Sequence, residues 1–279
     1  MSLHMGKSKR KKPERLDIIL LALLFLLCLL VAVPVLHVLA ASFASQLEYE
    51  TSSLLLIPEV FTLDNYIALF QDGRIWTGFR TTFIYLLIGV PLNIFLTTSL
   101  AYGLSRLKFP GGRFFFYVVI VVFLFNGGII PLYLLMMQLR LINTIWSVIF
   151  AHGVNTFYFI IMRTYFTGFP ESIIDSAKLD GAGVWSSFFK VIVPLSMPII
   201  ATMTLFYSAD WWNEWYYGMI FIRSNFFVPL QLVLRSLSTN YLTANTSIIV
   251  AMVPIICLIP FLQKYFVKGL IGKNEFNAF

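Results

Sequence analysis

Residues 18–40 contain 23 positions and not one charged side chain, and they follow a basic run at 7–15. About 20 apolar residues are enough for a helix to cross the hydrocarbon of a bilayer. No water is present there to satisfy peptide groups, so a run like this can only be helical. The apolar core of a cleavable leader is roughly 7–15 residues, so the run reads as a retained anchor with its basic flank inside and Pro34 bending it. The rest of the chain repeats the theme. Only 12% of the 279 residues are charged and 59% are hydrophobic, against about 25% charged in an ordinary soluble domain. Aromatic residues make up 17%, which suits lipid-facing surfaces and interfacial belts.

Five more apolar stretches follow, at 77–104, 114–138, 143–162, 191–220 and 246–266. The expected fold is therefore an all-α integral membrane protein with six transmembrane helices and both termini cytoplasmic. Residues 42–76 between the first two spans are polar and mixed. Within them Thr62 is placed to cap a short interfacial helix with Leu63, Tyr66, Ile67 and Phe70 on one face. The third span is interrupted by Asn126-Gly127-Gly128 and Pro131. Such a break either permits close helix contact through the glycines or lines a pore.

Cation placement fixes the orientation. With six spans and inner termini, 15 of the 20 Lys and Arg residues lie on the inner side, in keeping with the positive-inside tendency. The net charge of +7 then needs no nucleic-acid partner. Cys28 and Cys257 lie in apolar runs and read as small buried hydrophobes. The three histidines show no metal-ligand spacing, and Gly6-Lys7-Ser8 has Met1 where a phosphate loop needs its first glycine. The chain accordingly carries no ATPase motif, no cofactor site and no catalytic grouping of its own.

The longest elaborated inner segment is 170–198. Pro170 suits a first helical turn, and Glu171 follows where a negative charge favours the helix dipole. Ile173, Ile174 and Ala177 fall on one face, and Gly181 supplies a left-handed residue to end the helix. Residues 184–190 form a second short helix with Trp185, Phe188 and Phe189 facing lipid or a partner. Pro194 and Pro198 then govern entry to the fifth span.

The residues here resemble the cytoplasmic signature of permease subunits of binding-protein-dependent ABC importers, in particular the MalG-like carbohydrate branch. That signature is Glu-Ala-Ala, three residues, Gly, nine residues, Ile-x-Leu-Pro. Here Asp175-Ser176-Ala177, Gly181 and Val191-Ile192-Val193-Pro194 occupy it, with the Asp180-Gly181-Ala182 typical of the carbohydrate branch. Asp175, Ser176, Val191 and Val193 depart from it conservatively. The resemblance extends through Gly127-Gly128-Ile129-Ile130-Pro131 and Trp212-Asn213, which are similar to runs in importers of oligosaccharides from alginate or pectin.

The resemblance implies a coupling helix between spans 4 and 5 that docks into an ATPase, with Glu171, Asp175, Ser176, Ala177, Lys178, Asp180, Gly181, Ala182 and Pro194 as coupling residues. It implies a basic N-terminus at 1–17, a six-helix domain at 18–268 with its coupling loop at 165–190, and a tail at 269–279. Implied partners are a second homologous permease subunit, two ABC ATPase subunits that bind ATP and Mg, an extracytoplasmic solute-binding protein, and an oligosaccharide. The implied location is a bacterial or archaeal cytoplasmic membrane. Polar groups within spans are costly and often functional. Asn93, Asn126, Asn155, Tyr207, Asp210, Trp211, Asn213 and Glu214 are therefore candidates for the substrate path. The aromatic run 211–217 reads equally as an outer interfacial belt. A proton- or ion-coupled secondary sugar transporter using Asp210 or Glu214 is the alternative, and it leaves the signature unexplained.

Overall fold

The computed structural model of the chain describes residues 15–52, 54–106, 111–125, 127–237 and 243–257. Among these residues every regular element is helical. The first, α1 (Arg15–Ser42), passes unbroken through Pro34 and stands almost wholly exposed along its apolar length. Only its end packs, where Ala40, Ala41 and Ala44 meet Leu55, and where His37 Nδ1 lies 3.1 Å from Leu55 N. Cys28 is exposed on α1, and Cys257 is exposed as well. Both therefore face outward from the bundle instead of filling a core.

Two short helices follow, α2 (Gln46–Thr51) and α3 (Asp64–Gln71). Thr62 does not cap α3: Leu63 occupies the cap position without a side-chain bond. Thr62 instead donates its backbone N–H to the Phe43 carbonyl at 2.8 Å. Leu63 and Ile67 stay exposed, and Leu69 is the residue that α3 buries.

The organising element is α4 (Gly73–Arg106), 34 residues long and continuous through Pro91. Its buried face runs Gly78, Thr82, Tyr85, Gly89, Asn93, Thr97, Ala101, with Thr81 beside it, steps of three and four that keep one stripe inward. Small residues let other backbones come close. A Cβ on Gly89 would sit 2.4 Å from two Trp211 ring atoms, and one on Gly78 would sit 3.0 Å from the Leu230 Cα.

Around α4 the expected third, fourth and fifth spans are each broken. The third is α5 (Gly112–Leu124) and α6 (Ile129–Gln138); Asn126, assigned to the substrate path, lies outside the described residues. Gly128 takes φ +83°, but a Cβ on Gly127 or Gly128 would meet nothing within 4 Å. Gly128 serves the backbone there, and neither glycine makes a close helix contact among the described residues. The fourth is α7 (Ile145–His152) and α8 (Thr156–Thr167), bent by 48°. It runs past Arg163 to Thr167 instead of ending at 162.

The fifth departs most from expectation. Its helical rod begins at Val184 as α10 (Val184–Ser187), passes through a π-helical turn (Phe188–Ile192), and continues as α11 (Val193–Leu195). The bend comes only after Pro194, where the rod meets α12 (Met197–Trp212) at 81°. Pro194 has no N–H to give the carbonyl one turn back. The π turn rearranges the ladder just before it, with Val193 N–H bonding to Phe188. After α12 the chain breaks at 213–215 before α13 (Tyr216–Phe221), α14 (Leu230–Leu237) and α15 (Thr243–Cys257). The sixth span, expected at 246–266, is described only as far as Cys257.

Candidate functional site

At one end of the bundle lies α9 (Glu171–Leu179), the helix expected to couple. Its last turn closes by Asp180 N–H to Ser176 O and Ala182 N–H to Ala177 O, each 3.0 Å. The second bond spans five residues around Gly181 at φ +77°, the Schellman arrangement. A Cβ on Gly181 would meet nothing within 4 Å. Glycine is therefore required here by the left-handed backbone and not by crowding.

Ala177 is buried and Ile173 packs on the cluster around Phe166 and Met203. Glu171, Asp175, Ser176 and Asp180 are exposed, and Leu179 is 89% exposed. The Ser176 hydroxyl is turned back onto Ser172 O at 2.8 Å. Nearby Trp185 and Phe189 are exposed, whereas Phe188 enters the core. The Lys178 side chain lies outside the described residues.

Two arginines fix the base on which α9 stands. Arg106, the last residue of α4, donates to the Phe166 carbonyl at 2.7 Å and to those of Thr167 and Phe169. It also reaches Glu171 Oε1 at 4.0 Å. In return Arg163 of α8 donates to Leu104 O at 3.4 Å and lies 3.9 Å over the Phe116 ring. The helix ends α4 and α8 thus exchange arginines onto each other's carbonyls. Sequence reasoning counted both only as inner charges; their position beside a helix end is the signal that could have assigned them.

Halfway along α4 a polar seam joins the broken helices. Asn93 is fully buried, accepts from Trp211 Nε1 at 2.7 Å, and donates to the Gly153 carbonyl in the α7–α8 break. Tyr207 Oη pairs with Thr97 Oγ1 at 2.6 Å and accepts the Asn155 N–H at 3.1 Å. The Asn155 side chain caps α8 by accepting from Phe157 and Tyr158 N–H groups. Glu214, 4% exposed, pairs with His152 Nε2 and accepts from Gly218 N at 2.9 Å. The geometry thus brings together Asn93, Asn155, Tyr207, Trp211 and Glu214, but as mutually satisfied cross-links. Asp210 is only partly buried, near Tyr158, and Asn213 is exposed. Of the aromatic run, Trp211 and Trp212 are core residues and not a belt.

His152 matches no metal-ligand spacing in the sequence. Its place beside Gly153 inside an apolar run was the available clue.

Apolar helices, several of them interrupted, thus pack around one long central helix. The chain superimposes with a TM-score of 0.85, at 27% identity, on a chain from the crystal structure of a bacterial ABC transporter involved in the import of the acidic polysaccharide alginate. The match covers 92% of this chain and 99% of that one. No family model matches the sequence. The sequence is 32% identical over 282 residues to the polygalacturonan/rhamnogalacturonan transport system permease protein YtcP of Bacillus subtilis (strain 168), covering 94% of this chain and 99% of that protein. It is 31% identical over 271 residues to the arabinooligosaccharides transport system permease protein AraQ of Halalkalibacterium halodurans, covering 94% and 97%. The chain belongs to the family of sugar ABC transporter permeases, which are integral membrane proteins.

Proposed function

We propose that this chain is one of two permease subunits that together form the translocation path for an oligosaccharide. ATP and Mg are bound and consumed by separate ATPase subunits, and an external binding protein delivers the sugar. The observation that carries this reading is the construction of α9. The helix is short, closed at Gly181, packed inward through Ile173 and Ala177, and tied at its start to Arg106. Its outward side offers Asp175, Ser176, Leu179 and Asp180 to a partner. A helix laid into a groove of another protein is a common recognition mode. A stiff element joined through a helical rod to α12 transmits displacement, which a slack loop does not.

The test is to assemble the chain with its partner permease, ATPases and binding protein, and to measure sugar-stimulated ATP turnover with Gly181→Val. A non-glycine residue in the left-handed region costs about 1–2 kcal/mol, and nothing crowds the position. The variant should therefore insert and lose only a few degrees of melting temperature, yet lose most of its stimulated turnover or its ATPase subunits. Unchanged turnover and assembly would sink the docking role. Uptake without any ATPase would favour the secondary transporter.

A further inference from the structure

Most polar side chains at mid-depth of the bundle are used up by one another, and Asp210 is the exception. Trp211, the next residue, packs on Gly89, and Gly89 stands near the middle of α4 (Gly73–Arg106). Asp210 therefore sits about halfway through the bundle. Tyr207 and Trp211 of α12 are buried against α4, but Asp210 is only partly buried and Asn213 is exposed. Phe206, one turn before Asp210, is partly exposed and stacked on the Tyr158 ring, with centroids 5.6 Å apart. Phe206, Asp210 and Asn213 thus form one open stripe in steps of four and three. An aspartate at the centre of a lipid-facing helix costs about 2.5–3.5 kcal/mol on the insertion scale, so this stripe faces water or protein.

The stripe offers acceptors and lacks cations. A carboxylate has about four lone-pair sites. Among the described residues Asp210 has the Tyr158 hydroxyl within bonding reach and the His152 imidazole nearby, and His152 is itself paired with Glu214. No Lys or Arg among the described residues lies within ion-pair distance of Asp210. Asn213 spends its amide N–H on the Ala209 carbonyl at 2.9 Å, which leaves Oδ1 as an open acceptor.

We propose that Asp210 is a specificity-determining residue of the translocation path. Its carboxylate, with Asn213 Oδ1, accepts hydroxyl protons from a neutral sugar ring that rests on Phe206 and Tyr158. Its charge repels a ring that carries a carboxylate. The assignment rests on the oligosaccharide permease reading and deepens it. A partner helix laid over the stripe would have to bring a Lys or Arg to bilayer depth to neutralise Asp210, which is itself costly. Sugar hydroxyls supply donors without a second charge, and a few polar groups beside aromatic rings are what a small-molecule site presents.

The test uses the complete transporter, with partner permease, ATPases and binding protein, in proteoliposomes. ATP turnover is driven either by trigalacturonate or by its neutral methyl ester. Asp210→Asn keeps the size and an acceptor and removes the charge. It should raise the acid-to-ester ratio about tenfold over the parent, the effect of removing a like charge about 10 Å away at an effective dielectric constant of about 20. Asp210→Ala should lower the ester response about tenfold, since hydrogen bonds to charged groups are the strong ones. Asn213→Ala should lower it about two- to fivefold. Asn213 is exposed, so the yield of assembled complex should not fall in that variant.

An acid-to-ester ratio that Asp210→Asn does not move overturns the proposal. So does an equal loss with both sugars together with loss of the partner permease on purification, which would assign Asp210 to the interface between subunits. If the parent responds to the acid and not to the ester, the assignment of Asp210 falls and the permease reading stands. If no oligosaccharide drives turnover, the permease reading itself falls.

Discussion

The chain interrupts its apolar helices by two opposite means. The α7–α8 and α12–α13 breaks are stitched together by side chains: Asn93 on Gly153 and Trp211, Tyr207 on Asn155, Glu214 on His152 and Gly218. The 81° bend at Ser196 has far less stitching, one long bond from Tyr165 Oη to Leu195 O at 3.4 Å. It is otherwise made by a π turn, two flanking prolines and backbone bonds from Ser196 N–H to Ile192 and Val193. Breaks satisfied by side chains hold their two halves in one arrangement. A bend held mainly by backbone fixes a direction and ties it only loosely to the neighbouring helices. The first kind suits a wall and the second suits an elbow.

Substitutions can break this distinction. Gly89→Val drives a branched side chain into Trp211, whose ring is held by Asn93, and overpacking of this kind costs about 3 kcal/mol. The expected result is a large drop in detergent melting temperature or failure to assemble. Asn93→Ala strips partners from Trp211 Nε1 and the Gly153 carbonyl, costing about 2 kcal/mol. A melting temperature unchanged by it would mean the seam holds nothing. Arg106→Gln removes charge-assisted bonds to helix-end carbonyls, for about 1 kcal/mol. Hydrogen exchange should then rise in α9 and the end of α8 before it rises elsewhere. Ser196→Ala should change stability by less than about 0.5 kcal/mol, because the bonds that hold the bend come from the Ser196 backbone N–H, which alanine keeps. A loss as large as that of Asn93→Ala would erase the contrast.

Much of this molecule could be read from residue pattern. Uncharged runs marked the apolar helices, and Gly181 marked the end of α9, because both are local effects of burial and backbone geometry. What escaped were features set by packing between distant segments. Gly89 matters only because Trp211, 122 positions later, lies against it. Asn93, Tyr207 and Trp211 read as groups awaiting a ligand because a sequence does not reveal that Asn93 pairs with Trp211, and Tyr207 with Thr97 and Asn155. The joining of the expected short helix at 184–190 to the start of the fifth span, as one rod from Val184 to Leu195, has the same origin. Proline announces a disturbance, but where the axis turns depends on how the π turn absorbs the missing N–H.

The 81° elbow also sets a mechanical ratio. The 16 residues of α12 span about 24 Å at 1.5 Å per residue. Because the rod from Val184 to Leu195 meets α12 nearly at a right angle, motion along the rod cannot slide α12 along its own axis and must tilt it. A tilt of about 10° around the Ser196 end carries the Trp212 end sideways by about 4 Å, on the same helix length. Trp211 is bonded to Asn93 and Trp212 to Ala251 O at 2.9 Å. The far end of that lever is therefore fastened to both α4 and α15, and a small rotation at the elbow becomes a displacement shared by three helices.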